Sequence, residues 1–296
     1  MNLNVGKDWL DRTESISTIS ANFSVGVPFF AGIFFSSKVI KEEPSLIPLK
    51  DNWKSILLLF LIWIVFFVIF MLVYRKTKNH TQLAILNSTQ ECLRAFKAET
   101  HSMKLADPKN PLFFYAYMTE KAMNMCNHIE KAFRVSMNWN SSVCIKFVVD
   151  DKDPIKIATL CRSLGTPENR LKDTKNILAS ENTDFDLIIK GILPRFCTHN
   201  LKLTVSALLK KKIIYKNSSY EYLSRYNTVI VVPIGRSDSF YSDFQVIAFL
   251  CIDAPNTLNR TKFKSIEKMA LSFAEGLYPF FDYCLRIQEM VDDRSK

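Results

Sequence analysis

The chain has 296 residues, 48% of them hydrophobic, with 7 glycines and a formal net charge of +10. That length allows one ordinary domain, or two small ones, beyond any membrane segment. Seven scattered cysteines with no C-x-x-C pair argue against a disulfide framework and for reduced thiols in a cytosolic core, while the positive charge leaves nucleic acid, anionic lipid or no specific partner open.

The first element in chain order is Ser15 to Ser37 (SISTISANFSVGVPFFAGIFFSS), uncharged between Glu14 and Lys38. Pro28 and its small residues are tolerated in membrane helices, where small side chains let two helices approach. The acidic start at Asp8, Asp11 and Glu14 speaks against a cleaved signal peptide. An interfacial or disordered tail is the alternative to a first span. The second element is Ser55 to Tyr74 (SILLLFLIWIVFFVIFMLVY), which has no charge and no proline and runs directly into Arg75-Lys76-Thr77-Lys78. A bilayer core of about 30 Å needs roughly twenty apolar residues in a helix, and only a helix pairs its backbone internally there. Trp53 and Tyr74 stand at the two ends, where amphipathic rings prefer the interface. Together the two stretches predict a two-span helical hairpin joined by Lys38 to Lys54. The Lys and Arg residues near the spans place both termini in the cytoplasm.

Helical periodicity follows over 81–104, with Leu83, Leu86, Gln90, Leu93 and Lys97 at three- and four-residue steps. Pro108 and Pro111 interrupt it. Leu112 to Val135 is a second amphipathic helix, with Tyr117, Ala122, Met125, Ile129 and Phe133 on or near one face. Ser141 to Asp150 (SSVCIKFVVD) reads as a strand, the turn Asp151-Lys-Asp-Pro154 follows, and Ile155 to Arg162 is its hairpin partner. After the polar stretch Ser163 to Asn182 comes a short helix at Phe185 to Ile192. Asn227 to Ile234 and Phe244 to Asp253 are strands joined by the polar loop Gly235 to Ser242, and a long amphipathic helix closes the chain from Thr261 to Glu289. The fold class is thus a membrane α-helical hairpin plus a cytosolic α+β domain, an antiparallel sheet flanked by helices.

The run Thr228-Val-Ile-Val-Val-Pro-Ile234, a polar connection, Val246-Ile-Ala-Phe-Leu-Cys-Ile-Asp253 and a helix carrying Ala270, Phe273 and Ala274 resembles the GAF family of sensor domains. Ala248 stands where that pattern usually has Gly. Asn182-Thr-Asp-Phe-Asp-Leu-Ile-Ile189 is similar to the helix that lids a GAF pocket. The resemblance divides the chain into a tail and membrane region at 1–80 (spans 15–37 and 55–74), a helical linker at 81–111 and a GAF-like cytosolic domain at 112–296. It also implies a ligand pocket receiving Thr228, Arg236, Phe249 and Asp253, although strand alternation could turn any of them outward.

Cys126-Asn-His128 and Cys197-Thr-His199 invite a zinc reading, but residues two apart on a helix diverge and the spacing matches no structural site. Asp150, Asp151 and Asp153 read as a solvated turn before Pro154. None of Gly165, Gly191 and Gly235 lies in a phosphate-cradling motif, and no nucleophile has a persuasive His neighbour. No enzyme, metal or cofactor is expected. The basic cluster Lys210, Lys211 and Lys212, near tyrosines at 215, 220, 222 and 226, could meet nucleic acid or the anionic inner leaflet, the second being preferred.

Membrane helices ahead of a sensor domain with no output module resemble the two-span membrane effectors of bacterial anti-phage systems, retron-type or nucleotide-signalled. That resemblance implies a multi-pass inner-membrane protein that damages the bilayer in abortive infection. Its trigger would be a reverse transcriptase with its DNA–RNA element or a nucleotide second messenger, and its active form a homo-oligomer. A membrane-tethered regulatory or scaffold protein with a ligand- or partner-binding domain is the alternative.

Overall fold

The computed structural model describes residues 48–104, 111–150, 154–166, 170, 177–219, 221–236 and 245–294. The predicted span Ser15–Ser37 and the loop as far as Ile47 lie outside these residues. The chain divides into two units between Gln82 and Leu83, a boundary inside helix α1 (Pro48–Lys104).

In the first unit Pro48 to Lys54, expected as loop, are helical. No glycine or proline between Leu49 and Ser55 interrupts the helix. Fourteen large apolar side chains from Leu58 to Tyr74 are 37–68% exposed. The helix therefore lacks the polar face that a surface helix of a soluble protein keeps. Its mean hydropathy reaches 2.0, and it is long and apolar enough to cross a membrane.

The second unit is an α+β domain around a six-stranded sheet. Its α1 portion shows a different pattern. Cys92, Phe96 and Met103 are buried at four- and seven-residue steps, so this stretch of the predicted linker packs into the core. Thr89 and Thr100 return their hydroxyls to the carbonyls of Ile85 and Phe96, which keeps these β-branched residues satisfied in the helix. Helix α2 (Pro111–Met137) buries Met118, Ala122, Met125, Cys126, Ile129 and Phe133 along one stripe. Asn138 ends it at φ 45°, a left-handed position that asparagine tolerates.

Strands β1 (Ser142–Asp150) and β2 (Lys156–Arg162) form the expected hairpin, and β3 (Ile177–Leu178) extends it. Helix α3 (Thr183–Ile189) starts two residues before its expected first residue and ends three before its expected last, where Lys190 leads into Gly191 at φ 67°. Beyond it lie β4 (Phe196–Thr198), α4 (Leu201–Lys210), capped by Asn200, and the short α5 (Tyr222–Arg225). Strands β5 (Thr228–Arg236) and β6 (Gln245–Ala254) lead to α6 (Arg260–Arg294). The strand order is β3-β2-β1-β6-β5-β4, antiparallel throughout. Pairing of β1 with β6 joins the two predicted strand pairs into one sheet. Pro233 is tolerated in β5 because β4 pairs only with Val229 to Val231, leaving the edge beyond open.

Strand alternation gives the sheet two different faces. Val143, Ile145, Ile230, Val232, Ile234, Ala248, Leu250 and Ile252 pack under α1, α2 and α6. There Phe273 meets Phe96 and Phe133 edge-to-face at 6.1 and 5.6 Å. Cys144, Val229, Val231, Phe249 and Cys251 face the other way, toward α3, α4 and α5. This second layer is thinner, and the candidate site lies in it.

Candidate ligand pocket over the second sheet face

A row of consecutive partners, Val231, Cys251, Cys144 and Arg162, crosses β5, β6, β1 and β2. Beside it run Phe249, Lys146 and Thr159 on one side and Val229, Asp253 and Ser142 on the other. Over this floor lie the segment Asn182–Phe185, the turn Asn217–Ser219 and Tyr222. They enclose a cavity of about 310 Å³, with Arg170 and Ile177 in its wall. That volume is at the small end of ligand pockets, which run from about 300 to 1,000 Å³.

Two hydrogen-bond systems hold the roof. Thr183 N–H donates to the Lys216 carbonyl at 3.0 Å, and Lys216 N–H donates to Thr183 Oγ1 at 2.7 Å. Asn182 Oδ1 accepts from Ser218 N–H at 2.9 Å. Phe185 rests on Phe249 with ring centres 4.8 Å apart, so the roof is anchored by an aromatic contact as well as by polar ones.

One charge in the cavity is closed by its neighbours. Asp253 accepts from Tyr222 Oη at 2.5 Å and from Arg170 Nη1 at 3.4 Å, and the Arg170 guanidinium lies over the rings of Tyr226 and Tyr222 at 5.0 and 5.8 Å. Burial, then the Asp253 carboxylate, pushes the Tyr222 hydroxyl well above its usual range, so it stays a donor. Burial likewise pushes the Cys144 and Cys251 thiols up, away from the thiolate needed for attack.

Of the residues expected in a pocket, Asp253 lies in the cavity wall among the described side chains. Phe249 shares its face but lies beneath Phe185. Thr228 has the opposite parity from Val229 and Val231, and its hydroxyl bonds with the carbonyls of Asn256 at 2.6 Å and His199 at 3.3 Å. Arg236 ends β5 opposite Gln245, in a row far along the strand from Thr228. Lys210, Lys211 and Lys212 are exposed at and beyond the end of α4 and line no part of the cavity.

Cys126 sits on buried α2 with its Sγ 3.6 Å from that of Cys161, and the His199 ring lies against Phe263 at 5.6 Å. The two C-x-H pairs thus point into separate packing environments. Asp151 and Asp153 lie outside the described residues. Among those described, no group of three or more His, Cys, Asp and Glu side chains could hold a metal.

Sequence reasoning missed Lys146, Arg162, Asn182 and Asp184 as pocket residues. Lys146 left a signal, a lone charge inside an apolar strand with the parity of Cys144. Asp184 left a weaker one, an acid between Thr183 and Phe185 in the lid segment.

No protein-family model matches the chain, and no curated protein does. Among solved structures it is similar to the GAF domain of an Acinetobacter phosphoenolpyruvate-protein phosphotransferase, at 10% identity and TM-score 0.37, over 62% of this chain and 91% of that one. It is similar to free methionine-R-sulfoxide reductase from Neisseria meningitidis in complex with its substrate, at 13% identity and TM-score 0.33, over 59% and 95%. A third is NreA from Staphylococcus aureus mutated in its nitrate binding site, at 16% identity and TM-score 0.32, over 47% and 86%. The likeness is one of overall form to GAF-domain structures. The architecture itself stands on the strand pairings above.

Proposed function

We propose that the chain is a membrane-anchored sensor, with residues 55–74 in the bilayer and a GAF-like domain that takes a small polar ligand over its sheet. The cavity carries this reading. A pocket walled by buried charged and amide side chains costs stability unless something occupies it, and such a pocket is the usual form of a small-molecule site. The buried, protonated thiols of its floor favour binding over thiol chemistry.

In its more specific form the protein is the membrane effector of a bacterial anti-phage system, which damages the inner membrane when the domain is triggered. The exposed apolar run of α1 supports this form. The trigger would be a nucleotide second messenger, or a reverse transcriptase with its DNA–RNA element, and the active state a homo-oligomer. A ligand can drive such a change only by binding the two states with different affinity.

The test is inner-membrane integrity in bacteria carrying the gene with its natural neighbours, read by propidium iodide entry and a potential-sensitive dye before and after phage infection. A chain lacking residues 15–74 is the control. Dye entry on infection that needs those residues supports the effector. An intact membrane throughout, with the full chain resisting carbonate extraction, removes the effector and leaves an anchored sensor. Release by carbonate removes both.

A further inference from the structure

The cavity contains an acid and a base that do not meet. The Asp184 side chain is buried, the residue being 2% exposed, and its carboxyl accepts from backbone N–H groups alone, that of Phe185 at 3.1 Å among them. No cation lies within ion-pair distance of it among the described residues. Lys146 rises from the floor of the same cavity. Its Nζ donates to the neutral Thr159 hydroxyl at 3.2 Å and stands 5.7 Å from the centre of the Phe185 ring, with no carboxylate paired to it among the described residues. Arg170, Asp253 and Tyr222 satisfy one another, which sets them apart from Asp184 and Lys146.

A third group adds direction. Asn182 is 2% exposed and lines the cavity. Its Oδ1 is used by Ser218, while its buried Nδ2 has no acceptor. The cavity thus presents a carboxylate, an ammonium and an amide donor in want of partners, beside apolar wall from Ile177, Phe185 and Val231. Isolated charges in a low-dielectric site are costly, and one ligand that matches both removes both costs.

We infer that the pocket takes a small zwitterion of the amino-acid class, its ammonium group on Asp184, its carboxylate on Lys146 with Asn182 Nδ2 as a further donor, and its side chain along the apolar wall. The Arg162 guanidinium lines the same cavity and adds to its positive charge. A nucleotide fits less well, since its phosphates bring only negative charge and would face Asp184 at close quarters. This assignment rests on the ligand-sensor reading and names the ligand class for that site.

The test uses the full chain in detergent micelles, by thermal shift and isothermal titration, against the standard amino acids one at a time. Each amino acid that binds is compared with its decarboxylated amine and its N-acetyl form. Cyclic mono- and dinucleotides and inorganic phosphate form a second panel. The expected result is binding of at least one amino acid, weakened about tenfold or more by loss of either charge. Asp184→Asn and Lys146→Met should each weaken it by a similar factor. Asp184→Asn, which is nearly isosteric, should also lose the discrimination against the N-acetyl form. Response to nucleotides or phosphate alone overturns the zwitterion and keeps the sensor. Silence across both panels, or amino-acid binding indifferent to both variants, overturns the assignment, while the sensor is judged separately by the infection assay.

Discussion

Asp184 places a pH-dependent cost on the folded domain. Burial, the largest influence, pushes its carboxyl up to about 7, against the weaker opposing effect of the Phe185 N–H. In the unfolded chain the same group loses its proton near pH 4. Between those values the folded state holds the extra proton, so stability falls as pH rises, and above about 7 the loss is complete. Across that window each pH unit removes about 1.4 kcal/mol, which makes the whole effect a few kcal/mol as an order of magnitude. Asp184→Asn should therefore match the wild type near pH 4 and exceed it in stability at pH 8, in urea midpoints measured without ligand. An equal difference at both pH values would show that the carboxyl titrates normally. Tyr222→Phe tests the closed group beside it. Removing the 2.5 Å hydroxyl donor from Asp253 should lower stability by about 1.5–3 kcal/mol, the range for a bond to a charged acceptor. If the unfolding midpoint does not move, Arg170 alone satisfies Asp253.

The elements divide into a well-packed face and a thin one, and the packed face rests on a few contacts between helices. Phe273 on α6 touches Phe96 of α1 and Phe133 of α2, so Phe273→Ala should cost about 3–5 kcal/mol. Gly276 lies one turn further along α6, where an added Cβ would come within 2.4 Å of Leu93 Cδ2 and 3.2 Å of Phe96 Cδ2. Gly276→Leu should destabilise by about 1–3 kcal/mol through overpacking, whereas a surface glycine replaced by leucine would gain helix propensity. The sign of the change in thermal midpoint decides between the two. These helices and the two strand pairs were legible because burial imposes a period on sequence, as the steps Ala122, Met125, Ile129 and Phe133 show. The pairing of β1 with β6 was not, since Cys144 and Cys251 are more than a hundred residues apart and nothing local encodes their meeting. The pocket was legible only in part. Asp253 has the parity of Phe249 and Cys251, whereas Thr228 has the opposite parity from Val229 and Val231, which a strand boundary uncertain by one residue does not fix. Asp184 and Asn182 come together with Lys146 only after the roof has closed.

At the scale of the whole molecule the proposed membrane anchorage rests on the apolar run of α1. Between Ile56 and Val73 stand 16 residues of Leu, Ile, Phe and Val. Each contributes about −0.3 to −0.6 kcal/mol to insertion at the helix centre, so the run favours the bilayer by roughly 5–10 kcal/mol. One aspartate at the centre costs about 2.5–3.5 kcal/mol. Val65→Asp alone should therefore leave the chain in the membrane. Replacing Val65, Phe66 and Phe67 together by Asp adds roughly 7–10 kcal/mol and removes three apolar contributions, which should cancel insertion. The measurement is carbonate washing of isolated membranes followed by flotation in a density gradient, which separates inserted protein from aggregate. The wild type and Val65→Asp should float with lipid, and the triple variant should not. Flotation of the triple variant would mean that α1 is not what holds the chain to the bilayer. Failure of the wild type to float would mean that its exposed apolar side chains are covered by protein, in an oligomer built on α1, and not by lipid.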